Sequence, residues 1–261
     1  MIRELTYLRN MISSWKKLSL LIWFFLSASI CSAQFTSRKI TCKQDSNLTF
    51  PIFTGENKAA AKKINDHLQM EFFETTNSQI PESRLFDGYR FISDDIKSQT
   101  GYTSISYNVE LNSSKILSVI FEVEGMGAYP TQYKKYFSFD SKTGKRISGD
   151  TVFTAEGLKA IKEMLINKRK EGINKWIGDL KTNNEETYAE DSSFIEARFS
   201  ECNAKAHEDN IYFNKENILF YKDDCFPHAW GPYETSLDVE FRHKEIAQYL
   251  SVFGKKLLFT K

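Results

Sequence analysis

The chain has 261 residues, with 35 Lys+Arg against 34 Asp+Glu and a formal net charge of +1. Such balance supplies no clustered positive field of the kind that holds nucleic acid, so nucleic-acid binding is excluded as a leading class. Aromatic residues make up 14% of the chain, ample material for a core.

Polar residues and the basic pair Lys16 and Lys17 come first, followed by the apolar run "LSLLIWFFLSASI" from Leu18 to Ile30. The run has signal-peptide length and falls short of the roughly 20 residues a spanning helix needs. Small residues follow, which predicts cleavage after Ala33, a signal peptide over 1–33 and Gln34 as the first mature residue. A lipid anchor at Cys31 is less favoured, because the bulky Ile30 precedes it. No transmembrane span is expected after cleavage. Removing Arg3, Arg9, Lys16, Lys17 and Glu4 leaves 31 basic against 33 acidic residues, or about −2. The expected location is therefore periplasmic, cell-surface or secreted.

"SNLTFPIFTG" reads as a strand whose proline suits a sheet edge. In "ENKAAAKKINDHLQMEFFE", Ala60, Ile64, Leu68 and Phe72 recur every four residues, one face of an amphipathic helix. His67 flanks that face. Ile105, Tyr107, Val109 and Leu111 alternate, as do Leu117, Val119, Phe121 and Val123, with "NSS" as the hairpin loop between them. Tyr133, Lys135, Phe137 and Phe139 alternate next and end in the turn chemistry of "DSKTGK". These three strands predict an antiparallel meander.

Thr154 is a helix cap, with Leu158, Ile161 and Leu165 as the buried stripe. The polar stretch at 180–192 reads as a loop. Strands are predicted at "SFIEARF", "IYFN" and "ILFYK", with a turn at "NKEN". Leu237, Val239 and Phe241 form a last strand, and "HKEIAQYLS" a short helix. The expected fold class is α+β: antiparallel meander sheets packed against two or three amphipathic helices. The mature chain divides into an N-terminal half, 34–126, and a C-terminal half, 127–261.

Cys42, Cys202 and Cys225 remain after cleavage, and pairing is expected in an oxidising compartment. Three single bridges are formally open. Cys202–Cys225 is favoured, because each cysteine follows a predicted strand and the two strands can lie side by side. Cys42 would then be a small buried apolar residue.

"YKDDCFPHAWGPY" (Tyr221–Tyr233) concentrates the reactive side chains. A metal site from Asp223, Asp224 and His228 is disfavoured, since Pro227 forbids a helix that would align them. Catalysis would need a nucleophile or second acid near His228, and the chain holds neither G-x-S-x-G nor H-S-x-x-H. No catalytic residue, metal or cofactor is assigned. The first reading is a pinned turn: Pro227 and Pro232 set backbone angles and Gly231 frees one. The functional reading is a binding lip presenting His228, Trp230 and Tyr233. "GAYPTQY", with Tyr129, Pro130 and Tyr133, is its expected second half.

The order "FPIFTG", "INDHL", "GAYP", "YFSFDSKTGKRISGDTVF" and "FYKDDCFPHAWGPYETSLDVEF" carries a resemblance over roughly residues 40 to 252. It resembles the extracytoplasmic domain family found, as paired domains of unknown function, in the anti-sigma factor RsiV and ahead of the catalytic domain of the peptidoglycan deacetylase PdaC. The resemblance implies an exported α+β fold and, in the RsiV branch, recognition of lysozyme. Tyr129 stands where that family often has histidine. The expected function is a non-enzymatic module binding a lysozyme-like protein or peptidoglycan. The alternative is a cell-wall-active hydrolase or an accessory domain of one.

Overall fold

A computed structural model describes residues 34–74, 76, 82–86, 101–126, 130–183, 185–204, 207–208, 210–222, 225 and 236–259. The expected signal peptide, Tyr129, Asp223, Asp224, His228, Trp230 and Tyr233 lie outside the described residues.

Strand β1 (Thr36–Thr41) pairs antiparallel with β2 (Thr49–Thr54), Pro51 opposite Lys39. β1 escapes the sequence pattern because its side chains are mostly exposed and polar. Helix α1 (Lys58–Phe73) starts where the Asn57 carboxamide oxygen accepts the Ala60 N–H at 3.1 Å. It ends at Glu74, whose backbone is left-handed. Ala60, Ile64, Leu68 and Phe72 are all buried, as the period of four requires. Asn65 is buried too. Its carboxamide accepts from Phe53 N–H and donates to Phe53 C=O, both at 2.8 Å, so it satisfies β2 as a neighbouring strand would.

The meander follows: β3 (Gly101–Asn112), β4 (Ile116–Met126) and β5 (Pro130–Asp140), in that spatial order. Leu117, Val119, Phe121 and Val123 of the central strand are fully buried, on the face that meets α1 and β2. The Phe72 ring lies 4.5 Å from that of Phe121, and burying one such side chain contributes roughly 2–3 kcal/mol. The opposite face holds the buried hydroxyls of Ser118 and Ser138, 2.9 Å apart. Ser138 Oγ also accepts the Phe213 N–H at 3.0 Å, which ties the meander to the second sheet.

After β5, the Asp140 carboxylate accepts the N–H groups of Lys142 and Thr143 at 2.7 and 3.0 Å. Gly144 turns the chain with φ +68°, and a Cβ there would lie 2.4 Å from the Ala60 carbonyl oxygen. Glycine is required on both counts. Helix α2 (Gly149–Val152) precedes α3 (Ala155–Asn183), which Thr154 caps by accepting the Gly157 N–H at 2.9 Å. The second sheet is β6 (Ile211–Phe213), β7 (Asn217–Phe220) and β8 (Val239–Arg242), joined in that order. Its core includes Ile161, Leu165, Phe213, Phe220 and Phe241.

The sequence expectation fails at three places. Residues 180–183 and 185–192 are helical rather than a loop, and "SFIEARF" is not a strand. α3 runs to Asn183, and a second long helix, α4 (Glu185–Ala204), contains Phe194 to Phe199. Ile195 and Phe199 pack with Ile173 of α3 in a third core, and their spacing of four fits the helix. Cys202 therefore sits in the last turn of α4. It nevertheless pairs with Cys225, with Cα atoms 5.7 Å apart, while Cys42 is buried and free. The bridge is the favoured one, but it starts from a helix end rather than from the end of a neighbouring strand. Lastly, "HKEIAQYLS" holds only a 3₁₀ turn at Ala247–Tyr249. The helix is α5 (Val252–Phe259), which begins after Ser251 because its hydroxyl accepts the Gly254 N–H at 3.0 Å. His243 does not open a helix; its N–H donates to Glu216 C=O at 2.9 Å.

Gln34–Lys261 form one compact unit, with the meander crossing residue 126. No described helix is long and apolar enough to cross a membrane.

Candidate binding surface

β5 is an outer strand of the meander. Its residues alternate between faces, so Tyr133, Lys135 and Phe137 lie toward α1, and Lys134 and Tyr136 lie toward the second sheet. A cleft of about 310 Å³ runs beside this strand. All five consecutive residues from Tyr133 to Phe137 line it. Glu71 comes from the last turn of α1, Arg146 from the segment after Gly144, and Asn210 and Tyr221 from either end of the β6–β7 hairpin. Tyr221 N–H donates to Asn210 C=O at 3.2 Å, which holds these two ends together.

The polar groups are organised. Lys135 Nζ lies 2.9 Å from the Glu71 carboxylate and 5.0 Å from the centre of the Phe72 ring. Lys134 meets Glu122 at 3.5 Å on the neighbouring strand. Arg146 donates to the Tyr221 hydroxyl at 2.6 Å, and its guanidinium lies 5.3 Å from the Phe137 ring centre. Among the described residues no carboxylate pairs with Arg146. The Tyr221 ring in turn packs 5.0 Å from that of Tyr136.

Burial and the neighbouring Tyr102 push the Tyr133 phenol up to about 12. Burial and the carboxylates led by Asp238 push Tyr136 up to about 12 as well. Both phenols are neutral hydrogen-bonding groups throughout the physiological range. His67 lies below, with ring centres 5.5 Å from Phe139 and 6.0 Å from Phe137. Burial, and then the Arg146 charge, hold its pKa below the ordinary histidine value. Among the described residues, no group of three His, Cys, Asp or Glu side chains is placed to hold a metal ion.

Of the residues expected to form the lip, Pro130 opens β5 at an exposed position and Tyr133 lines the cleft. The cleft also takes in Tyr221, the first residue of "YKDDCFPHAWGPY". The described ends of the two marked segments therefore meet in one place. Sequence reasoning missed Glu71, Arg146 and Asn210. Arg146 was visible as one of the two cations of "TGKRIS", but nothing local showed that the turn would aim it, rather than Lys145, back along β5.

No family model and no curated protein matches the sequence. Solved structures do resemble the fold. A member of the DUF3298 family from Bacteroides fragilis superposes with a TM-score of 0.54 at 15% identity, covering 85% of this chain and 93% of that one. A DUF3298 family protein from Pseudomonas aeruginosa gives a TM-score of 0.45 at 8% identity, covering 87% and 95%. At such identity the first of these likenesses shows a shared α+β fold and nothing finer.

Proposed function

We propose that this protein is a non-enzymatic binding module, working outside the cytoplasm, that recognises a protein of the lysozyme type. The observation that carries this reading is the cleft lined by Tyr133 and Tyr221. It joins the ends of the two aromatic segments that the sequence marks as halves of one lip. Aromatic side chains on rigid elements make strong contact residues at low entropic cost. The Cys202–Cys225 bridge supports an oxidising compartment. The fold of a DUF3298 protein supports the family resemblance on which the lysozyme reading rests. Cell-wall glycan is the competing ligand, favoured by tyrosines set beside Asn210, Arg146 and Glu71.

Titration calorimetry of the chain from Gln34 onward tests the proposal, with a c-type lysozyme in one run and solubilised peptidoglycan fragments in the other. The expected result is lysozyme binding at micromolar affinity or tighter, weakened about tenfold or more by Tyr133→Ala and by Trp230→Ala. Heat with the fragments alone would reassign the module to glycan. Silence with both, or turnover of the fragments, would overturn the proposal.

A further inference from the structure

The backbone of β5 is only partly used. On its inner side the strand is paired with β4 in unbroken register from Met126↔Pro130 to Ile116↔Asp140. On its outer side the chain pairs with itself briefly: Asp140 N–H donates to Lys145 C=O at 2.9 Å, and Ile147 N–H donates to Ser138 C=O at 2.8 Å. Those two bonds identify the even-numbered residues as the ones whose N–H and C=O groups point outward, since both groups of a residue face the same side of an antiparallel ladder. Gln132 and Lys134 therefore present their N–H and C=O groups to the outer edge, and Tyr136 its N–H. The Tyr136 carbonyl has the Tyr221 hydroxyl 3.5 Å away. Among the described residues no strand pairs with this stretch.

The cleft has the shape this edge would give it. Consecutive residues of a strand point to opposite faces, so a groove lined by all of Tyr133 to Phe137 must run along the strand's edge. Arg146, already bridged to Phe139 in antiparallel fashion, lines it as well. Charge narrows the occupant. A second copy of β5 would set the Lys134 and Lys135 pairs of both copies close together, and like charges across an antiparallel pair are unfavourable. Lys135 and Lys134 are held by Glu71 and Glu122, whereas Arg146 has no carboxylate among the described residues.

We propose that the outer edge of β5, from Pro130 to Tyr136, accepts an extended acidic segment of a partner protein as an added antiparallel strand, with a carboxylate of that segment meeting Arg146. This rests on the binding-module reading and specifies how the partner is held. Main-chain hydrogen bonds to Gln132 and Lys134 supply the docking, and the side-chain groove supplies the selection. Lysine on the open edge repels basic and unspecific strands, which is how exposed edges are protected from aggregation.

The test uses the chain from Gln34 onward and two short acetylated peptides, one alternating valine with glutamate and one alternating valine with lysine. Amide exchange by NMR reports the edge directly. The glutamate peptide is expected to bind, to protect the Gln132 and Lys134 amides, and to exceed the lysine peptide by about tenfold in affinity. Lys134→Pro removes an outward N–H without touching the β4 ladder and is expected to abolish binding. Lys134→Ala keeps the N–H and is expected to retain it, while Arg146→Ala weakens it about tenfold. Equal binding of the two peptides, silence with both, or undiminished binding in Lys134→Pro overturns strand addition. Lysozyme binding by Lys134→Pro at parental affinity would leave the module standing and remove only this mode of capture.

Discussion

His67 shows how a single residue joins the first core to the candidate surface. It lies on the flank of α1, against Phe137 and Phe139, with Arg146 and Glu71 as its charged neighbours. Burial and Arg146 disfavour the imidazolium, and Glu71 opposes them less strongly. The folded pKa is thus below the unfolded value of about 6.5. Between those two values the unfolded chain binds more protons, so stability rises with pH through the window. His243 shifts in the same direction, again chiefly through burial. The expected outcome is a melting temperature that is constant above about pH 7 and falls as pH drops below about 6.5. His67→Gln should flatten part of that slope, and scanning calorimetry across pH checks it. A parent curve that rises on acidification would contradict the assignment.

The α3–α4 hairpin is the part of the architecture that local pattern hid. "SFIEARF" alternates well enough to suggest a strand, and "NNEETYAED" is polar enough to suggest a loop. The described residues of both are helix in the structure. Only the packing of Ile195 and Phe199 against Ile173 selects the period of 3.6 over the period of 2. Helix propensity alone is a weak prior for such a segment. Ala197 is exposed in the middle of α4. Ala197→Pro removes an interior hydrogen bond and should cost about 3 kcal/mol, with a loss of helical circular dichroism. An unchanged spectrum and urea midpoint would mean that this segment is not helical. Arg169, two turns earlier than Trp176 on α3, is a buried counterpart. Its Nε donates to Leu237 C=O at 2.8 Å, which ties the helix to the strand side of the second sheet. No sequence signal separated it from the surface arginines.

For the molecule as a whole, the Cys202–Cys225 bridge links the end of α4 to the chain that leaves the end of β7, the central strand of the second sheet. Both cysteines belong to the third core. The bridge closes a separation of 23 residues. Loop-closure entropy for that length corresponds to about 3 kcal/mol. Cys202→Ala/Cys225→Ala is therefore expected to lose about that much stability in urea unfolding, and a reductant should lower the parent but not the double variant. A loss below about 1 kcal/mol would show that the third core holds itself together without the bridge.

The sequence by itself determined the elements whose pattern is written in neighbouring residues. The face of α1, the alternation of the meander, the Asp140–Gly144 turn and the Thr154 cap all follow from side chains a few positions apart. The sequence left three bridges formally open, and the strand argument that favoured Cys202–Cys225 does not hold for a cysteine in the last turn of α4. Tertiary structure alone decided the rest. Whether α4 is a helix depends on what lies opposite Ile195. Where Arg146 points depends on the close approach of Gly144 to Ala60. That Glu71, Arg146 and Tyr221 share a cleft with Tyr133 depends on three separate elements meeting at one strand edge. Local rules set φ, ψ and the buried face of each segment. They carry no information about which faces will be brought together, because that is settled by packing between residues far apart in the chain.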